Sequence, residues 1–418
     1  MRRSSRTMRS AVGVASFALV ASACAGVGGG GADEGEMTWA IGGADAQPGG
    51  AHQQVADLWN EQNPDNQVSI DVLPEAADEQ RQQQSLELNA EGTGFDILGI
   101  DVIWTGEYSE NGWLESLEDV RGELEGASLE GAFESAQWGG ELWAAPYNSN
   151  AGFLYYRTDL VDTPPTTWEE LKEVGMEVAE EEGIAPFVAQ GAQYEGMVVN
   201  YLEYFWSDGG DLLNEEGTEV LFAEDDAAMT ALEFMIESQQ DGFYAPGFNT
   251  MMEEEARNEF QSGNAVFMRN WPYAYELMSA DDSEVAGDFD IAPLPTFTGE
   301  GTISALGGFN NGVSAFSENT EAAIDFVVWA ATDPEAQRLL AEAAIPPTLE
   351  STYDELADDP VMSLLGEVLP ESRPRPPAPD WNGISVEMQQ QLFPAYNGEA
   401  DPQAAIDSIR DYLEGTIE

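Results

Sequence analysis

The chain reads as an α/β protein in two lobes, and three observations carry that reading. Short apolar runs at 37–41, 68–73 and 96–103 alternate with segments of helical period at 53–60 and 79–89, the pattern of a sheet with parallel strands. A second series of the same kind starts near 152–156. Finally, 418 residues with 43% hydrophobic and 10% aromatic side chains supply enough apolar surface for two cores, despite a formal net charge of −65.

Taken in order, 37–41 is a short strand, and 53–60 is helical up to the break at Asn63-Pro64, because proline disfavours helix in the residue before it. The run 68–73 alternates as a strand, 79–89 is a second helix, and 96–103 is an apolar strand that carries Asp101 near its end. In the second series, the strand at 152–156 leads to helices at 168–182, 198–208, 225–239 and 253–262, then to a strand at 265–268. Later come 289–293, the glycine-rich 305–314, a helix at 321–331 and a helical region from Ile384 onward. No long flexible linker separates the two series, so their boundaries are expected to be crossovers that span a cleft.

The amino terminus has the order of a secretory signal: Arg2, Arg3, Arg6 and Arg9, an apolar run over 11–20, then the small residues Ala21-Ser22-Ala23. The run is too short to span a bilayer. Cys24, the only cysteine, follows directly and precedes the glycine-rich 26–31. This resembles a bacterial lipoprotein processing site, with Ala21 where leucine is usual. Cys24 is therefore expected to carry lipid rather than a disulfide, and an ordinary signal with an incidental cysteine is the competing reading. Arg2-Arg3 leaves general and twin-arginine export both open.

Seventy-nine Asp and Glu face 14 Lys and Arg, and Lys172 is the sole lysine. Such a surface repels phosphate backbones and anionic headgroups, which excludes nucleic acid as a partner. Acidic runs at 180–182 and 253–255 fall on predicted helix surfaces. A dense carboxylate shell of this kind suits a salty exterior, where ions screen its self-repulsion. Calcium or sugar-amine binding is the secondary reading of the same charge.

Aromatic and polar clusters sit at predicted strand ends, where open α/β sheets bind ligands. Asp101-Val102-Ile103-Trp104 puts a carboxylate at one end, Trp271-Pro272-Tyr273 follows the strand at 265–268, and Leu306-Gly307-Gly308-Phe309 lets backbone approach a partner closely. Rings beside carboxylates and amides suit a sugar, whose C–H face packs on a ring while its hydroxyls need acceptors and donors. Any single tryptophan is as readily explained by a core. Trp-Pro-Tyr is not, since the proline fixes a turn that holds two amphipathic rings together.

The strings DILGIDVIW (96–104), GWLESL (112–117), AGFLYYRTDL (151–160), QGAQYEG (190–196), FMRNWPYA (267–274), APLP (292–295) and LGGF (306–309) resemble, in the same order, the trehalose/maltose-binding branch of the ABC-importer solute-binding proteins. The similarity runs from Thr38 to the carboxyl terminus. It implies a two-lobe, periplasmic-binding-protein-like (type II) fold that closes on a disaccharide through a hinge. The implied organisation is a signal peptide at 1–23, a lipid-anchored tether at 24–36, one lobe from 37–147 plus 306–345, and a second from 148–305 plus 346–418. The implied partners are a disaccharide and the membrane subunits of an importer, with the membrane reached only through the anchor of a monomeric, extracytoplasmic protein.

The resemblance also implies ligand positions. Asp101 matches a strand-end carboxylate that accepts from sugar hydroxyls, Trp271 and Tyr273 a stacking and hydroxyl-contacting pair, and Gly307 and Gly308 backbone that meets the ligand. Arg81 matches one arginine donor and Arg375 a second, its spacing to Ser385 fitting better than that of Arg373. Gln47 stands where relatives have Glu, Asn148 replaces an aromatic residue, Asn150 an Asp, and Phe309 a Trp. Amides both donate and accept, so hydroxyl recognition is retained while the particular disaccharide is left open.

The resemblance implies no catalytic residue, cofactor or metal. A glycoside hydrolase, which needs two carboxyls flanking a scissile bond, and a rigid carbohydrate-binding module are the alternatives. No nucleophile motif, phosphate loop or metal-ligand cluster occurs, and the only histidine, His52, is expected at the surface near a helix start.

Overall fold

The structure is a computed structural model that describes residues 36–214, 219–223, 226–376 and 380–417. The signal peptide, Cys24 and nearly all of the expected tether lie outside the described residues. Glu36, expected to end the tether, instead opens the first strand.

β1 (Glu36–Gly42), β2 (Gln67–Leu73) and β3 (Ile97–Asp101) run parallel with β1 in the middle, and α1 (Ala51–Gln62) and α2 (Ala77–Asn89) connect them. Every residue of β3 is buried, as expected of a strand covered on both faces. β4 (Ala144–Ala151) follows, and after Gly152 the chain enters β5 (Phe153–Arg157) of a second sheet. That sheet also holds β6 (Ala185–Val188), β7 (Ala265–Asn270) and β8 (Phe289–Ala292), in the order β8, β5, β7, β6.

Around the second sheet lie α3 (Trp168–Glu182), α4 (Glu195–Ser207), α5 (Ala227–Asp241) and α6 (Glu253–Gln261). The boundaries of α3 have local causes: the Thr167 hydroxyl accepts from the Glu170 amide at 3.0 Å, and Gly183 takes a φ of 75° to end the helix. The chain then returns to the first sheet in β9 (Ala305–Val313), which lies antiparallel to both β3 and β4, and in the two-residue β10 (Arg373–Pro374). The first sheet is therefore mixed. The expected parallel order holds for β1 to β3, and β4 runs in their direction, but β9 and β10 run the opposite way.

Separate cores follow from this division. Trp39, Trp59, Ile97 and Phe326 of α7 (Thr320–Thr332) pack around the first sheet. One face of the second is covered by Trp168, Phe187, Tyr201 and Phe205, joined by Trp381 of α8 (Trp381–Tyr396) and Ile409 of α9 (Pro402–Ile417). Phe153, Tyr155, Phe260 and Met268 fill its other face. No helix among the described residues is long and apolar enough to cross a membrane.

Candidate functional site

Asp101 ends β3 pointing out of the sheet, and its carboxylate accepts from the Ile103 amide at 3.2 Å and from Arg375 Nη2 at 3.1 Å. Arg375 Nη1 donates to Glu195 Oε1 at 2.7 Å, and Glu195 also accepts from Trp381 Nε1 at 3.1 Å and from the Ser385 hydroxyl. This three-residue knot joins the first sheet, the start of α4 and the segment before α8. Burial pushes the Asp101 carboxyl up, and Arg375 offsets that only in part while Glu195 adds to it. For Arg375 burial opposes the charge, but two flanking carboxylates outweigh it and hold the guanidinium's pKa above its ordinary value. Arg373, by contrast, points to the surface and pairs with Asp211 at 2.7 Å.

Trp271 follows the last residue of β7, and the turn is fixed locally. Its amide donates to Asn270 Oδ1 at 2.8 Å, and its carbonyl accepts from the Tyr155 hydroxyl at 2.7 Å. Tyr273 donates its hydroxyl to Glu254 Oε1 at 2.7 Å, and Glu254 is in turn paired with Arg257 at 2.6 Å. On β4 and β9, the Phe309 amide donates to Asn148 Oδ1 at 2.9 Å, which leaves the Asn148 NH₂ to other acceptors. Gly308 sits at φ +127°, and a Cβ there would meet the Asn148 carbonyl at 2.2 Å. A Cβ on Gly307 would meet Asn150 Oδ1 at 2.3 Å and the Trp271 ring at 3.1 Å. Both glycines are required by this close approach.

These groups enclose a cavity of about 260 Å³. Asp101, Asn148, Asn150, Trp271, Tyr273, Gly307, Gly308 and Arg375 all line it. Gln47 and Arg81 do not: Gln47 is exposed, and Arg81 is turned to Glu107, with Nε donating at 2.7 Å. Asp45, His52, Gln80, Glu195 and Glu253 also line the cavity, though none of them is a ligand position expected from the sequence. His52 corrects the expectation of a surface residue. It is 6% exposed, hydrogen-bonded to the Tyr147 hydroxyl at 3.0 Å, and burial lowers its pKa to about 3, so it is neutral.

Among the buried polar atoms of the lining, Gln80 Oε1, Asn150 Oδ1 and Arg375 Nε find no hydrogen-bond partner among the described residues, and the Tyr194 hydroxyl lies beside Glu253. Orphaned groups of this kind cost roughly 1–3 kcal/mol each unless something supplies the missing bond. Val199, Met252 and Ile345 add apolar surface beside them. The set offers acceptors, a donor and an aromatic ring to a ligand with many hydroxyls. Within it Asp101 and Glu195 are both bound to Arg375 rather than held free as an acid and base pair. No cluster able to hold a metal occurs among the described residues.

The sequence profile described as bacterial extracellular solute-binding protein matches residues 43–337. The chain belongs to that family. A probable ABC transporter-binding protein of Deinococcus radiodurans is 30% identical to this solute-binding protein over 381 residues, covering 86% of this chain and 88% of the relative. A maltotriose-binding protein of Pyrococcus abyssi is 26% identical over 320 residues, 72% of this chain and 66% of the relative. Among solved structures, T. maritima MalE3 bound to maltose superposes with a TM-score of 0.85 at 34% identity, covering 91% of this chain and 99% of that one. The two sheets are thus the lobes of a solute-binding protein, and the family comprises extracytoplasmic binding proteins rather than enzymes.

Proposed function

We propose that this solute-binding protein captures a disaccharide of the trehalose or maltose type in the cavity between its lobes and delivers it to the membrane subunits of an ABC importer. The observation that carries the reading is the cavity itself: orphaned Gln80 Oε1, Asn150 Oδ1 and Arg375 Nε beside the Trp271 ring. Sugar hydroxyls would satisfy the first three as donors and acceptor, and a pyranose C–H face would cover part of the fourth. The likeness to a maltose-bound structure and to a maltotriose-binding protein supports a glucoside of short length.

In this reading Asp101, Asn148, Asn150, Trp271, Tyr273, Gly307, Gly308 and Arg375 contact the sugar. Residues 37–147 with 306–345 and 148–305 with 346–418 move as two lobes, and Cys24 anchors a monomer to the outer face of the membrane. Calorimetric titration of the mature chain with trehalose, maltose, maltotriose and sucrose tests it. The titration belongs at high salt, where the acidic shell is screened. Saturable one-to-one binding of a disaccharide without product formation is expected. Absence of binding across the panel, or turnover of any member, would refute the proposal.

A further inference from the structure

Trp271 stands on a buried ion pair, and we infer that Arg269 is the residue that positions its ring for the ligand. The inference rests on the reading of Trp271 as the sugar's stacking face. Arg269 lies on β7 two residues before the ring, is 2% exposed, and its guanidinium carbon is 4.0 Å from the ring centroid.

That guanidinium is held on all sides. Its Nε and Nη2 donate to the two oxygens of Glu203 at 2.8 Å and 2.5 Å, and its Nη1 donates to Gln190 Oε1 at 3.2 Å. Glu203, on α4 and 1% exposed, is fixed in turn, because its Oε1 also accepts from the Ala305 amide at 3.2 Å and from the Ser304 hydroxyl at 3.3 Å. The Ser304 oxygen accepts from the Gly152 amide at 2.6 Å. Gly152 and Ala305 are where the chain leaves the first sheet and where it returns, so one ion pair gathers both crossings and the aromatic platform. The crossing is kept bare for it: a Cβ on Gly152 would come within 2.6 Å of Arg269 Nη2.

A buried pair of this sort adds little net stability, since desolvation consumes most of the attraction. It does supply direction. The two-pronged contact with Glu203 fixes the guanidinium plane, and a cation over an aromatic face is attracted to it. A ring held in this way does not have to be ordered when the sugar arrives, so less of the binding energy is lost to immobilising it.

The test is a double-mutant cycle on maltose and trehalose affinity, with melting temperature measured alongside. Arg269→Lys keeps a charge opposite Glu203 but loses the plane and the fork. It should weaken binding about tenfold with a near-parental melting temperature, and should add less than about a twofold loss when Trp271 is already Ala. If Arg269→Lys fails to fold, Arg269→Gln with Glu203→Gln removes the stack and leaves no orphaned charge, and takes its place in the cycle. Parental affinity in these variants, or the same loss with and without the ring, overturns the positioning role while leaving the site intact. If Trp271→Ala itself binds as tightly as the parent, the stacking face is elsewhere and both readings fall.

Discussion

Asp45 and Glu254 reach the same cavity from opposite lobes. Burial, with the negative charge of Glu254 added to it, raises the Asp45 carboxyl from 3.8 to about 6. A parallel case lies at the start of α2, where burial and the neighbouring Glu195 raise Asp78 to about 6. In both places burial, with a carboxylate of the other lobe nearby, opposes the ionisation of the aspartate, whereas for Glu254 burial is outweighed by the hydrogen bonds from Arg257 and Tyr273, which hold its carboxyl below the ordinary value.

The consequence for stability has a definite sign. Because the native pKa is the higher one, the folded protein holds protons that the unfolded chain has released, so these groups make stability fall as pH rises from about 4 to about 6. Above that window the loss is complete. Asp45→Asn removes the effect at the cavity. Its melting temperature should match the parent's near pH 4, exceed it increasingly toward pH 6, and keep a constant advantage above. A difference that does not change with pH would show that Asp45 titrates as an ordinary carboxylate.

Recognition should depend on the ring and on the glycines that make room for it. Trp271→Ala is expected to weaken disaccharide binding by about 1–3 kcal/mol, the scale of a lost aromatic face and its burial. Gly307→Ala pushes a methyl group against Asn150 Oδ1 and the ring, and overpacking of that kind costs about 1–3 kcal/mol. Calorimetry of both variants checks this. A Gly307→Ala protein with parental affinity would place the sugar away from β9.

Much of the fold was legible because its first strands and helices carry strong periodicity, and 37–41, 68–73 and 96–103 all fall on strands of the first sheet or run just past one. β4 was not legible. Its sequence, AAPYNSNA, has a proline and three polar residues and owes its strand geometry to pairing with β9 rather than to its own propensity. The sequence pattern starts α4 at 198, three residues after its actual start, which hides Glu195 as its first residue although it falls within the string at 190–196. Glu253 and Glu254 read as part of a solvated acidic run and Asp45 gives no sign at all, because among 79 acidic residues one carboxylate carries no signal until the fold shows which ones are enclosed. His52 misled because a glycine-rich approach looks like surface, whereas Trp39 and Tyr147 pack over its ring.

Anchoring can be tested independently of the cavity. Mass spectrometry of the membrane fraction should find Cys24 as the first residue and diacylglycerol on its sulfur, and Cys24→Ala should release the protein into the medium. A native protein that is wholly soluble and cleaved at another residue is the outcome against it.

The last prediction concerns movement. Asn148, Asn150, Gly307 and Gly308 lie on β4 and β9, the strands that carry the chain between lobes, whereas Trp271 belongs to the second lobe and Asp101 to the first. A sugar can therefore satisfy all of these groups only when the lobes are together. A ligand shifts an open–closed equilibrium only by its differential affinity for the two states. Contacts available in one state alone provide that difference, so disaccharide should compact the protein and, by mass action, raise its melting temperature by an amount that grows with ligand concentration. Small-angle scattering of the mature chain with and without a saturating sugar reads the first effect, and thermal melts the second. Saturation with an unchanged radius of gyration would mean that the cavity is preformed, and the protein would then act as a rigid carbohydrate-binding module rather than by hinge closure.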